Sequence, residues 1–246
     1  MKGAFVAQQL QFQLDVAVDR VTQGDSLPCT LTVKNLAPAP QTLAGVGLSL
    51  CVGDVKKLKG SPTDFEVVAT ASVDFGSELA PQASTSAQYT FTLDRNCVVT
   101  EKSYTLFCRY GFVEGPSGDL PVTVVVHPHL EKIGELLEST FQFTPKGVRS
   151  SKGWTELKYK PSSSRRYSFV NELVLGARFE AGELVLQFRF NVKKFEGLQA
   201  NVQVSRGKTV VERRLAESVY IKDGFLDHAT VEGAMNDALE VVSSGF

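Results

Sequence analysis

The stretch Leu10-Gln-Phe-Gln-Leu-Asp-Val-Ala-Val18, then Gln23-Gly-Asp25, then Leu27-Pro-Cys-Thr-Leu-Thr-Val33, decides the fold class. Apolar residues fall on every second position in both arms. Successive side chains of a strand point to opposite faces, so each arm reads as a half-buried strand. Gln23-Gly24-Asp25 supplies a turn, and residues 10–34 read as a hairpin.

The same rhythm continues outward from this hairpin. Leu36-Ala-Pro-Ala-Pro40 breaks it, because proline cannot donate to a ladder. Val46, Leu48, Leu50 and Val52 resume it. A charged loop from Asp54 to Asp64 follows, with Lys56, Lys57 and Lys59. Further alternating runs are Phe65 to Val73, Ala87 to Leu93, Tyr104 to Phe112 and Leu120 to Val126. Seven short strands in about 125 residues are the signature of an antiparallel sandwich.

At His127-Pro128-His129 the period changes. Leu130, Ile133, Leu136 and Leu137 take helical spacing, with Glu131, Lys132, Glu135 and Glu138 between them, which predicts one short amphipathic helix. Alternation returns in Phe141 and Phe143, Leu157 and Tyr159, Tyr167 and Phe169, Leu173 and Leu175, and from Leu184 to Val192. Val202 and Val204 would pair with Val210 or Val211 across an Arg206-Gly207-Lys208 turn. This half reads as a second, smaller sandwich. Val231, Ala234, Met235, Ala238, Leu239 and Val242 then predict a terminal amphipathic helix, with Asp227 as N-cap and Gly245 as C′ residue. The expected class is all-β. Its parts are a sandwich over 1–126, a second over 127–222 and a helix over 223–246.

Composition excludes more than it names. The chain has 246 residues, 43% hydrophobic and 22% charged, which suits a folded domain. The net charge of −1 gives no general attraction to nucleic acid or to an anionic membrane. Three histidines leave few ways to build a histidine-based site. The first residues hold too short an apolar stretch for a secretion signal, and no run suits a membrane helix. The expected compartment is the cytoplasm. There Cys29, Cys51, Cys97 and Cys108 are expected as free thiols, without the spacing of a zinc site or a disulfide framework.

No phosphate loop, dinucleotide turn, nucleophile elbow or zinc-protease motif occurs. A serine could be assembled in space with Asp223 and His228, but no local pattern nominates it. Pro128 between His127 and His129 argues for a structural role there over a metal site. Glu131, Glu135 and Glu138 share a solvated helix face, which would not separate their pKa values as acid–base work requires. No catalytic residue, metal or cofactor is expected.

The near-zero net charge hides a split. Residues 141–214 carry 15 Lys and Arg against 6 Glu, whereas 215–246 carry one Lys against six acids. Either the acidic tail folds back on the basic half, or Lys158, Lys160, Arg165 and Arg166 around Ser162-Ser-Ser164 form a patch for an anion or an acidic partner. A phosphorylated peptide or lipid headgroup would also suit it. Nucleic acid is not expected, because strand alternation already accounts for Tyr159 and Tyr167.

Several segments together resemble a known superfamily. Gln23-Gly-Asp-Ser-Leu-Pro-Cys-Thr-Leu-Thr-Val-Lys-Asn35 resembles the early hairpin of arrestin-like domains. Tyr89-Thr-Phe-Thr-Leu-Asp-Arg-Asn96 and Ser103-Tyr-Thr-Leu-Phe-Cys108 resemble their closing strands. The run from Leu120 through Val126-His-Pro-His129 and Leu130–Leu137 to Phe141-Gln-Phe143 is similar to the crossover of bacterial sporulation-control proteins. Phe169-Val-Asn-Glu-Leu173 and Leu184–Phe190 fit that family's second half. Gln23-Gly24 stands where the family has Pro-Gly. The likeness spans roughly residues 8–195. It implies two immunoglobulin-like sandwiches, no catalysis, and a cytoplasmic scaffold or regulator that binds proteins through sheet edges and concave faces. A sorting adaptor of the retromer-subunit type, touching membranes only peripherally, is the alternative within the fold. A small hydrolase is the alternative among enzymes. Sheet edges could also pair two copies into a homodimer.

Overall fold

The computed structural model describes the chain except residues 55, 57–64, 72–73, 163–166, 168, 197–202 and 245–246; for 193–196 and 203–206 only the backbone is described. The chain divides into two compact units, Met1–Val125 and Val126–Phe246. Each has its own hydrophobic core. No helix among the described residues is long and apolar enough to cross a membrane.

The first unit contains β1 (Lys2–Ala7), β2 (Leu10–Val16), β3 (Arg20–Thr22), β4 (Ser26–Asn35), β5 (Gln41–Thr42), β6 (Val46–Asp54), β7 (Phe65–Ala71), β8 (Glu78–Leu79), β9 (Ser84–Thr92), β10 (Tyr104–Phe112) and β11 (Ser117–Val125). One sheet has the order β1-β2-β4-β9 and the other β3-β11-β10-β6-β7, with β5-β8 a small ribbon. Of these pairings only β3 with β11 is parallel. The alternation of the opening hairpin becomes the inner face: Leu10, Phe12, Leu14 and Val16 on β2 and Leu27, Cys29, Leu31 and Val33 on β4 are all buried. They meet Leu48, Leu50, Leu106, Cys108, Val122 and Val124 of the facing sheet. Strand β1 is an addition to the expected set. As an edge strand it has no fully buried residue, so its alternation is shallow.

All four cysteines are free thiols. Cys29 of β4 and Cys108 of β10 face each other across the core, 4.0 Å between sulfurs. Their shared hydrogen bond pushes the Cys108 thiol strongly up, as does burial, and pulls Cys29 down. Burial pushes Cys51 to about 11 and Cys97 to about 12. Thiolate is the reactive form. Native protein at pH 8 is therefore expected to react with a disulfide reagent only over hours, and all four thiols within minutes in guanidinium. A burst of one equivalent from native protein would contradict this burial.

The second unit runs α1 (Pro128–Ser139), β12 (Phe143–Ser151), β13 (Trp154–Pro161), β14 (Val170–Glu180), β15 (Glu183–Glu196), β16 (Gln203–Ala216), α2 (Glu217–Tyr220), β17 (Ile221–Lys222), β18 (Phe225–Leu226) and α3 (His228–Ser243). Strands β12 to β16 form one antiparallel meander in chain order. Its inner face is closed by α1 and α3, whose Leu130, Ile133, Leu136, Leu137, Val231, Met235, Ala238, Leu239 and Val242 share a core with Leu173, Leu175, Phe188 and Phe190. Gly134 lets α1 lie close to the sheet, since a Cβ there would come 2.9 Å from the Tyr159 hydroxyl. Proline opens α1, and the His127 imidazole accepts from the His129 N–H.

One local reading is corrected. Arg206-Gly207-Lys208 is not a turn: these residues lie inside β16, opposite Lys193, Val192 and Asn191 of β15. The glycine carries no positive φ, and the long run of β15 takes a partner of equal length, which overrides the local turn signal. Asp227 stands at the N-cap of α3 as expected, its carboxylate accepting from Lys222 and the Thr230 hydroxyl. The expected C′ residue Gly245, like Val202 of the expected hairpin, lies outside the described residues.

Candidate interaction site

On β10 the inward residues are Leu106, Cys108 and Tyr110, so Thr105, Phe107, Arg109 and Gly111 project from the outer face. They sit opposite Gly53, Cys51, Ser49 and Gly47 of β6. An outer face in water is expected to be polar, yet Phe107 and Cys51 are fully buried there. Phe65 of β7 meets Phe107 edge-on at 5.8 Å. The Arg109 guanidinium lies over the Phe65 ring at 4.4 Å. Its Nε donates to the Ser117 hydroxyl at 2.7 Å and lies 3.8 Å from the Asp119 carboxylate. Burial pushes the Asp119 carboxyl up, against the pull of Arg109.

Arg109, Phe65 and Ser117 line a groove of about 410 Å³, within the size range of ligand sites. Its floor is Gly47, Ser49, Arg109 and Gly111. Phe65, Val67 and Thr70 of β7 make one wall, and the turn after β10 makes the other. The backbone bond from Val113 to the Gly45 carbonyl curls that turn over β6. A Cβ on Gly47 would lie 2.8 Å from Val113, so glycine keeps the end open. β7 is the last strand of its sheet, and its Val67 and Val68 are about half exposed, at 52% and 51%.

The expected basic patch falls in the second unit. Lys158 and Lys160 are on β13, on the face opposite the buried Leu157 and Tyr159. Arg165 and Arg166 lie outside the described residues. The same outer face carries Glu156, only 4% exposed, whose carboxylate takes Arg149 at 2.5 Å and Arg189 at 2.7 Å. Arg178 covers the Trp154 ring at 4.5 Å. The acidic α3 is on the inner side of the sheet, held by its apolar stripe. Among the described residues only Arg213 forms an ion pair with it, 3.9 Å from Asp237. Fold-back of the tail thus occurs through the core, and leaves Lys158 and Lys160 uncovered by it.

The remaining candidates are not gathered into a site. Asp223 and His228 are both exposed, as are Glu131, Glu135 and Glu138. The enclosed pocket a hydrolase would need around His228 is therefore not built on these residues. The His127 and His129 rings meet at 4.6 Å, His127 tilted against Phe179 and His129 edge-on to Tyr220. Among the described residues no group of three His, Cys, Asp or Glu could hold a metal ion. The Arg109 groove escapes a reading of inward residues alone. Its signal is the outward phase of β10, where Phe107 and Arg109 replace the usual small polar residues.

Fold and faces together define a mostly β protein of two compact units. The chain is similar in fold to Spo0M, the sporulation control protein of Bacillus subtilis. The TM-score is 0.66 at 15% identity, covering 97% of this chain and 99% of that one. The sporulation-control resemblance is thus supported at the level of fold. A Pseudomonas fluorescens alkylpurine DNA glycosylase, AlkC, overlaps 47% of this chain and 30% of its own with a TM-score of 0.27 and 14% identity, too loose to argue from. No family model matches the chain, and no curated sequence does.

Proposed function

We propose that this chain is a non-enzymatic scaffold or regulator of the cytoplasm that docks a protein partner on its first unit. The observation that carries the reading is the groove over Arg109 beside edge strand β7. An edge strand offers unpaired backbone groups, and a groove beside it receives alternate side chains of an added segment. The shared fold with a protein described as a sporulation control protein supports a regulatory role over catalysis. The uncovered Lys158 and Lys160 favour a second reading, an acidic partner or membrane surface met by the second unit, as in a sorting adaptor.

Affinity capture from native lysate tests both. The native chain is expected to retain a stoichiometric protein, and Val67→Asp/Val113→Asp to lose it. Loss in Lys158→Glu/Lys160→Glu alone would place the partner on the second unit. Capture indifferent to both variants would overturn docking on these faces.

A further inference from the structure

We infer that the Arg109 groove is a carboxylate-reading site, which takes an Asp or Glu flanked by an apolar residue in an extended peptide segment. This rests on the docking reading above and names the chemistry of the partner. The guanidinium is fixed before anything binds: Phe65 supports its flat face, Ser117 holds Nε, and the side chain is 19% exposed. Among the described residues its hydrogen bond runs through Nε, so the terminal amino groups remain for a ligand. Asp119, 3.8 Å from Nε, is beyond hydrogen-bonding distance. A planar fork already stacked and anchored loses little freedom when it grips a carboxylate. Phe65, Val67, Phe112 and Val113 line the groove around it. A cation between apolar walls attracts a counter-charge more strongly than one in open water.

The neighbours choose between anions. Glu114 is at the groove and Asp119 beside the arginine. Both repel a phosphate dianion about twice as strongly as a single carboxylate charge. The apolar walls then select the residues flanking the acid, and the β7 edge selects an extended backbone.

The test is selection of a displayed library of random dodecapeptides on the full chain, then titration calorimetry with one enriched synthetic peptide. Enriched sequences are expected to share Asp or Glu next to Val, Ile, Leu or Phe. Exchanging that acid for its amide should weaken binding about tenfold or more. Arg109→Gln should abolish it, Glu114→Gln should tighten it several-fold, and Lys158→Glu should leave it unchanged. Enriched peptides without an acid, or binding that survives Arg109→Gln, overturn the proposal. Should Arg109→Gln fail to fold, an unchanged affinity in Glu114→Gln overturns it instead. Acid-free peptides that lose binding in Val113→Trp, which plugs the groove, would sink the carboxylate and keep the docking reading. No enrichment, or indifference to every groove variant, sinks both.

Discussion

Asn35→Asp is expected to unfold the first unit at neutral pH. Asn35, fully buried at the end of β4, ties three segments together. Its Nδ2 donates to the carbonyls of Ala39 at 2.9 Å, Leu79 at 3.0 Å and Ala80 at 3.2 Å, and its Oδ1 accepts from the Ala37 N–H at 2.8 Å. Aspartate keeps the shape and reverses the polarity: a carboxylate oxygen would face three carbonyl oxygens with no proton between them. Each buried group left unsatisfied costs about 1–3 kcal/mol, so the loss is about 5 kcal/mol or more, the scale of a whole domain's stability.

The pH dependence follows from the sign. Burial without a counter-charge raises the folded pKa of the new carboxyl above its unfolded value of about 3.9. The variant is therefore most stable below about pH 4 and loses stability as pH rises through the folded value. Urea unfolding by circular dichroism at pH 4 and 7 reads this directly. Native-like stability at pH 7 would remove the claim. The single tryptophan, Trp154 in the second unit, reports that unit separately by fluorescence.

Glu156→Ala should give the largest loss in the second unit. Removing one partner of a buried ionic group costs about 3–5 kcal/mol when the remaining charge stays buried. Arg149 and Arg189 keep 43% and 33% exposure and can rehydrate, so about 2–3 kcal/mol is expected. In the native chain burial pushes the Glu156 carboxyl up, but Arg189 and Arg149 outweigh it and hold it below the ordinary value of 4.5. This stabilisation is fully present above that value and fades as pH falls through the folded one. The acid limb of native stability, followed by Trp154 fluorescence, should flatten in Glu156→Ala. An unchanged limb would show that the arginines do not sustain this charge.

Much of the fold is legible because strand phase is a local property. The runs around Leu10–Val16, Leu27–Val33 and Leu184–Val192 form strands whose alternating apolar residues face the cores, as do Leu106, Cys108 and Tyr110 within Tyr104–Phe112. Both longer helices appear where the period shifts. Local signals fail where a neighbour decides. Gly207 looks like a turn until β15 pairs along it. Periodicity likewise does not say that α1 and α3 close the inner face of the meander, which is decided by the packing of their apolar stripes.

The candidate sites divide the same way. Lys158 and Lys160 share a face by their spacing alone, and the structure adds that α3 covers the other side. No spacing assembles Ser49, Phe65, Arg109 and Ser117, which come from four strands. The amino-acid sequence by itself settles which side chains of most strands point in, though not on β7, where a register shift beside Leu50 and Cys51 puts Phe65 and Val67 on the outer groove. It also settles where the helices begin, and that charge is split between the basic second half and its acidic tail. It does so because periodicity and charge are written residue by residue. Tertiary pairing alone decides which outward residues become neighbours, since register joins positions dozens of residues apart. That is why an arginine on the outer phase of β10 acquires a ring beneath it, a hydroxyl at its Nε and an apolar groove around it.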